Sequence, residues 1–250
     1  MTRLFLPREK LSEEKTVITG DDARHLSLVL RVQPGEQLVI FDGSGYRYLC
    51  RILEVHKKEI VVEKIKKEPY SAESPVSITL AQGLPKSGKM DLIVQKSTEL
   101  GVTQIIPLIT ERSQVRHTEK IERWRKIALS ASQQCGRDKI PEIGGVVEFK
   151  VFITPPALPL DKGRNEEGLL KIIFSEGHKE RNLKKILTDF KEAEHIILLI
   201  GPEGGFSQEE VSSAIEKGFI PASLGPRILR TETAPLTAIS IIQYESGDMG

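Results

Sequence analysis

The spacing of hydrophobic positions changes character near residue 70. Up to about Lys67 the apolar residues come in short β-branched or aromatic runs: Leu4-Phe5-Leu6, Thr16-Val17-Ile18-Thr19, Leu38-Val39-Ile40-Phe41, Tyr46 to Val55 and Ile60 to Ile65. Turn signals at Pro34-Gly35, Asp42-Gly43-Ser44-Gly45 and Lys57-Lys58 separate them. Among these runs, Asp21 to Leu30 predicts one helix, capped by Asp21 or Asp22, with Ala23, Leu26, Val29 and Leu30 on one face. Closely spaced short strands broken by a single helix predict a small β-barrel over residues 1–70.

Beyond the polar stretch Lys66 to Pro75, strand-like runs at 76–82, 105–109, 171–174, 196–200 and about 222–224 alternate with helical patterns. Met90, Ile93, Val94, Ser97 and Leu100 share a helical face, and Gly101 stands where a helix ends. Ile121, Trp124, Ala128, Ala131 and Cys135 mark a second amphipathic helix, and Ser207 with Glu209-Glu210 opens a third. Thr231 or Thr233 is placed to cap a terminal helix. The alternation predicts an α/β domain with a largely parallel sheet over residues 74–250. Pro155 to Gly168, rich in Pro, Gly and charge, reads as a mobile surface loop.

Composition adds limits. Hydrophobic residues make up 39% and charged residues 28%, as in a soluble globular protein, and the formal charge of +1 averages over patches of opposite sign. No apolar run is long enough to span a bilayer, and the N-terminus lacks the apolar core of a signal peptide. Cys50 and Cys135 match no zinc or redox spacing, which points to the cytoplasm and to packing roles for both thiols.

Three stretches carry candidate chemistry. Gly83 to Met90, GLPKSGKM, comes within one residue of a triphosphate-binding loop. Met90 replaces the hydroxyl that would ligate Mg²⁺, and Pro85 removes an N–H from the cradle. It is a look-alike. Ile196 to Ser207 is an apolar strand that ends in the turn Gly201-Pro202-Glu203-Gly204-Gly205 and feeds a helix. Leu224-Gly225-Pro226-Arg227-Ile228-Leu229-Arg230 again leads from a strand end towards a helix. Two such turns in succession build adjoining walls of one pocket, suited to an adenine ring rather than a triphosphate.

The pair GPEGGFSxxE and LGPRILRTETA, with QKSTELGVTQIIPLITERS at Gln95 to Ser113, closely resembles the bacterial 16S ribosomal RNA uracil-N3 methyltransferases of the SPOUT superfamily. The resemblance extends over almost the whole chain, including His25-Leu26-x-x-Val29-Leu30-Arg31 and GLPKxxK. It implies a PUA-like RNA-binding barrel, an α/β domain with a C-terminal trefoil knot, a homodimer, and S-adenosylmethionine as methyl donor without a metal. The donor loops it implies are Phe174-Ser175-Glu176, Gly201 to Gly205, and Leu224 to Leu229, with Thr233 nearby. Backbone groups near Leu224, Arg227, Ile228 and Leu229 are expected to hold adenine, and Gly201, Glu203 and Gly204 to lie against the ribose and methionine part. Two departures stand out: Gln133-Gln134-Cys135-Gly136-Arg137 replaces a Glu-Gln-Ser-x-Arg-like element, and Ser175-Glu176-Gly177 lacks the usual paired acids.

Methylating uracil N3 removes a proton and leaves charge on N3, O2 and O4, so a cation lowers the barrier. Arg112, Arg137 and Arg230 are candidates for that cation, and Glu203 for the proton or the ribose. Residues 112–139 hold eight Lys and Arg against three Asp and Glu, a stripe suited to a phosphate backbone that includes Arg116, Lys120 and Arg123. Arg3, Arg8, Arg24 and Arg31 extend the footprint in the barrel. The RNA expected is 16S ribosomal RNA or the small ribosomal subunit. A knotted methyltransferase of another RNA, such as a tRNA ribose 2′-hydroxyl, or a silent RNA-binding protein are the alternatives.

Overall fold

A computed structural model describes residues 1–11, 14–154, 168–177 and 182–249. The loop expected from Pro155 to Gly168 falls, except for Gly168, outside the described residues. The chain forms two compact units, Met1–Glu73 with Ser132–Ile140, and Ser74–Ala131 with Pro141–Gly250.

The first unit contains β1 (Thr2–Phe5), β2 (Lys15–Thr19), α1 (Gly20–Arg24), β3 (Gln37–Phe41), β4 (Tyr46–Val55) and β5 (Glu59–Pro69). Their sheet order is β1-β3-β4-β5-β2, with β1 parallel to β3 and the other pairs antiparallel. Alternation sends Ile18, Leu38, Ile40, Cys50, Ile52, Ile60 and Val62 into one core, where Leu26 of the helical segment joins them. The predicted helix at 21–30 is corrected in two ways. It begins at Gly20 with no side-chain cap at Thr19, and a π turn occupies His25–Val29. The turn is closed by the Leu30 N–H on the His25 carbonyl (3.0 Å), while the Ser27 hydroxyl donates to the Ala23 carbonyl (2.7 Å). The added residue per turn rotates Val29 and Leu30 off the buried face, so Val29 is 66% exposed while Ala23 and Leu26 stay buried. Burial pushes the Cys50 thiol up to about 11, as a packed, inert cysteine requires. Cys135 differs: it is exposed, which corrects its expected packing role.

The second unit runs β6 (Ser77–Gly83), α2 (Lys89–Glu99), β7 (Gln104–Ile109), α3 (Ile121–Cys135), β8 (Glu142–Ile143), β9 (Val147–Glu148), α4 (Phe149–Phe152), β10 (Leu169–Phe174), α5 (Leu183–Asp189), β11 (His195–Ile200), α6 (Gln208–Glu216), β12 (Ile220–Ala222) and α7 (Thr233–Glu245). The last four residues of α3 belong to the first unit. The sheet order is β12-β10-β11-β6-β7-β8, with β9 also on β7, and every pairing is parallel. Parallel strands put all carboxyl ends on one edge, and burial on both faces explains runs such as Ile196-Ile197-Leu198-Leu199-Ile200. Gly101, at φ +90°, follows the last turn of α2 as the sequence predicts. The two-residue strands β8 and β9 and the single turn of α4 are too short to give a periodic signal.

Candidate functional site

β10, β11 and β12 lie side by side, so the loops after Phe174, Ile200 and Ala222 leave from one edge. The first and third of these loops are tied together: the Ser175 N–H donates to the Ala222 carbonyl (3.2 Å), and Asn182 forms an isolated parallel bridge with Ser223.

The turn after β11 is built by close approach. A Cβ at Gly83, the last residue of β6, would stand 2.5 Å from Cδ and 2.7 Å from N of Pro202. A Cβ at Gly201 would lie 3.0 Å from Gly205, and Gly205 itself sits at φ +65°. The Gly205 N–H closes the turn on the Pro202 carbonyl (2.9 Å). Gln82, fully buried at the end of β6, ties the turn to the neighbouring chain. Its Nε2 donates to the carbonyls of Gly83 (3.0 Å) and Gly201 (3.3 Å) and to the Thr231 hydroxyl (3.2 Å). Thr231 in turn donates to the Gly201 carbonyl (2.8 Å). Thr231 therefore points inward instead of capping α7, whose N-cap is Glu232 with no side-chain bond; this corrects the cap expected at Thr231 or Thr233. Thr233 is exposed, and its carbonyl accepts from the Thr237 hydroxyl.

Helix α6 begins with a complete capping box, Ser207 and Glu210 exchanging bonds with each other's backbone. The Glu210 carboxylate is buried and serves twice. One oxygen accepts the Ser207 N–H (2.9 Å) and the other the Glu111 N–H (2.8 Å), so the cap of α6 also holds the loop after β7. Buried Thr110 and Ser113 fold that loop into a tight turn. Arg112 stands at its tip and donates from Nη1 to the Gly204 carbonyl (2.9 Å). A candidate cation and the candidate donor turn thus meet.

The loop after β6 also grips an anion, one supplied by the chain itself. The Lys86 N–H lies 3.2 Å from both Glu203 oxygens, and Lys89 Nζ lies 3.0 Å from Glu203 and 3.2 Å from Glu232. Burial alone would raise the Glu203 pKa, but its backbone bonds and Lys89 outweigh it and hold the carboxyl below its ordinary value. Its bond to Glu203 chiefly raises the Lys89 pKa. The sequence treated GLPKSGKM as a false phosphate loop, and its N–H and ammonium groups hold a carboxylate instead. Lys86, Lys89 and Gln82 were missed as site residues, although the near-match was a signal for the two lysines.

The turn from Leu224 to Leu229 contrasts with the one after β11. Among the described residues its backbone makes no hydrogen bond, and Ile228 is 77% exposed. Gln82 Oε1 is also buried with no hydrogen-bond partner among the described residues. Arg227 and Arg230 are exposed, and among the described residues Arg230 has only Glu232, at 4.0 Å, as an ionic neighbour.

Other expected residues have other surroundings. Arg137 belongs to the first unit, is 3% exposed, and its guanidinium holds Glu73 through Nε (3.2 Å) and Nη2 (2.5 Å) as a buried strut. Arg3 donates to the Gly136 carbonyl (2.6 Å) and stacks on Tyr70, which leaves little of it for a ligand. Arg8, Arg24 and Arg31 are exposed. On the basic stripe Arg116 donates to the Glu111 carbonyl, Arg123 pairs with Asp91 (2.7 Å), Arg125 pairs with Glu122, and Lys120 is exposed. Among the described residues no cluster of His, Cys, Asp and Glu suits a metal ion, and no helix is long and apolar enough to cross a membrane.

Comparison with known proteins supplies the family. Residues 72–243 match the RNA methyltransferase domain family, and residues 18–65 match the RNA methyltransferase PUA domain. Ribosomal RNA small subunit methyltransferase E of Buchnera aphidicola is 39% identical over 236 residues, covering 92% of this chain and 88% of its own. The Bacillus subtilis protein of the same name is 31% identical over 257 residues, covering 98% and 97%. The crystal structure of a ribosomal RNA small subunit methyltransferase E from Neisseria gonorrhoeae bound to S-adenosyl methionine has a TM-score of 0.85 at 36% identity, covering 98% and 97%. A match over most of its length, with the glycine turns and their ties in place, makes this chain a member of the RNA methyltransferase family that contains the ribosomal RNA small subunit methyltransferase E proteins.

Proposed function

We propose that this protein transfers a methyl group from S-adenosylmethionine to N3 of a uridine in the 16S ribosomal RNA of the small subunit. The observation that carries the reading is the meeting of a tied glycine turn, an unbonded turn and Arg112 at one sheet edge. The unbonded N–H and C=O groups of Leu224 to Leu229, with Ile228 beside them, suit a purine with polar edges and an apolar face. Gly201, Pro202, Glu203, Gly204 and Gly205 form the wall for the ribose and methionine part, and Phe174, Ser175 and Glu176 form the third side.

The donor supplies an electrophilic methyl on a sulfonium sulfur. The residues of this chain prepare the nucleophile. Loss of the N3–H proton to water leaves negative charge on N3, O2 and O4, which a neighbouring cation would stabilise until N3 takes the methyl; the donor sulfonium would be left as a neutral thioether. Arg112, fixed by Gly204 and exposed elsewhere, is placed for that role, and Arg230 is the second candidate. The lowered pKa of Glu203 makes it a weak base, so its role is to position the turn. Resemblance alone supplies the trefoil knot and the homodimer, the cysteine pattern supplies the cytoplasmic location, and sedimentation tests the dimer.

The test pairs calorimetric titration with S-adenosylmethionine and methyl incorporation into isolated small subunits and into tRNA. Saturable binding and incorporation into small subunits are expected, both lost in Gly204→Val, whose first side-chain carbon would stand 3.1 Å from Arg112 Cβ. Incorporation into tRNA alone would reassign the substrate. Binding without methylation of any RNA would contradict the enzymatic reading.

A further inference from the structure

A single buried carboxylate sets the spacing between the glycine turn after β11 and the arginine beside it. Glu210, in the first turn of α6, is 6% exposed and makes no ion pair among the described residues. A capping box needs only one of its oxygens, the one that accepts the Ser207 N–H (2.9 Å). The other oxygen accepts the Glu111 N–H (2.8 Å), from a loop 99 positions earlier in the chain. Ser207 follows the glycine turn closely, and Glu111 is the neighbour of Arg112. Arg112 closes the path by donating to the Gly204 carbonyl (2.9 Å). The contacts therefore form a ring that runs from Gly204 through Ser207, the Glu210 carboxylate, Glu111 and Arg112 back to Gly204.

The loop that carries Arg112 is held from its other sides as well. The Glu111 carbonyl accepts from Arg116 Nη2 (2.8 Å), so Glu111 is bonded at both its N–H and its C=O. The Ser113 hydroxyl accepts the Thr110 N–H (3.0 Å) and pairs with the Thr110 hydroxyl (2.9 Å), and both residues are buried. The Arg112 stem lies along the glycine turn: a Cβ at Gly204 would stand 3.1 Å from Arg112 Cβ and 3.5 Å from Cδ. The Arg112 backbone is thus fixed while its side chain is exposed, and among the described residues only Nη1 of its guanidinium makes a hydrogen bond. A cation set in this way meets a negative charge without reorganising, which is the source of its catalytic effect. Two side chains reach the loop from outside residues 110–113. Arg116 is exposed and Glu210 is buried, and a bond shielded from water is the stronger constraint.

We propose that Glu210 is a positioning residue of the methyl transfer, whose carboxylate holds Arg112 at the spacing from the Gly201–Gly205 turn at which the guanidinium meets the uracil anion. The inference rests on the reading of Arg112 as the cation of this reaction and deepens it. Glu210 touches neither donor nor base and acts through the Glu111 N–H. Its signature is a loss of rate that depends on Arg112 and is independent of the helix cap.

The test is the single-turnover rate of methyl transfer to isolated small subunits, with S-adenosylmethionine and protein both saturating, so that affinity does not enter the rate. The rate is expressed per donor-binding site counted by calorimetry, so that unfolded protein does not enter it either. Arg112→Ala should lower this rate about a hundredfold. Glu210→Ala, which leaves the Glu111 N–H without its acceptor, should lower it about tenfold and speed hydrogen exchange at the Glu111 amide. The double variant should be no slower than Arg112→Ala alone, because a positioning residue has nothing left to position. Ser207→Ala removes the other half of the capping box and leaves the Glu111 bond in place, so its rate per site should be that of the natural protein. If Glu210→Ala no longer binds the donor, Glu210→Gln, which keeps one acceptor oxygen, is read in its place. A natural rate in the Glu210 variant would overturn the proposal, and so would an equal loss in Ser207→Ala or a further tenfold loss in the double variant. In each of these cases Arg112→Ala is still slow and the methyltransferase reading stands. A natural rate in Arg112→Ala would instead remove Arg112 as the cation, and the role of Glu210 with it.

Discussion

The turns after β11 and β12 share a composition of Gly and Pro at a strand end, yet they are held in opposite ways. Gly201 to Gly205 is fastened from several sides: Gln82 and Thr231 on the Gly201 carbonyl, Arg112 on the Gly204 carbonyl, and Lys86 and Lys89 on Glu203. Leu224 to Leu229 makes no hydrogen bond among the described residues and leaves Ile228 in solvent. A site built this way has one wall formed before the ligand arrives and another whose polar groups await it. In the proposed donor site, preorganisation of the first wall would reduce the ordering cost of binding, and the free groups of the second would provide recognition.

The comparison is broken most severely at Gly83. Any side chain there meets the Pro202 ring and backbone, which cannot yield like the end of a flexible chain. Gly83→Ala should cost about 2 kcal/mol of stability, read by denaturant unfolding, and should reduce S-adenosylmethionine affinity by more than tenfold. A variant with natural stability and affinity would show that the turn is not fixed by this contact. Thr231 comes next. Thr231→Ala removes one bond to Gly201 and one acceptor from Gln82, at about 1 kcal/mol, and should lower affinity several-fold, while Thr231→Ser should restore both. If serine fails, the hydroxyl tie is not the reason.

The smallest effect concerns Glu203. Its carboxyl lies below the ordinary value of 4.5 when folded, so the stability it adds is present above 4.5 and is lost as pH falls through the lower folded value. Melting temperature should therefore fall less steeply below pH 4.5 in Glu203→Gln than in the natural protein. Identical acid profiles would mean that the bonds to Lys86 and Lys89 do not persist in solution.

Much of this was legible in the residues. Continuous apolar runs exposed the buried parallel strands, Ser207 and Glu210 announced their helix start, and the glycine turns stood out by composition. The ties between the turns were not legible, because they join residues far apart in sequence: Gln82 and Thr231 are 149 positions apart, and Arg112 and Gly204 are 92 apart. The π turn at His25–Val29 was hidden because the heptad-like spacing of Val29 and Leu30 holds only for an unbroken α-helix. Arg137 stood among the candidate cations because nothing local in the sequence reveals Glu73 as its partner. The near-match to a phosphate loop carried real information, since its geometry suits an anion, but only the fold identifies that anion as Glu203.

Hydrogen–deuterium exchange with and without S-adenosylmethionine tests the contrast most directly. Without the donor, amides of Leu224, Gly225, Arg227, Ile228 and Leu229 should exchange rapidly, while Gly205, bonded to Pro202, is already slow. Adding the donor should slow the 224–229 amides strongly and Gly205 little. Protection elsewhere, with 224–229 still exchanging rapidly, would contradict the assignment of the open wall.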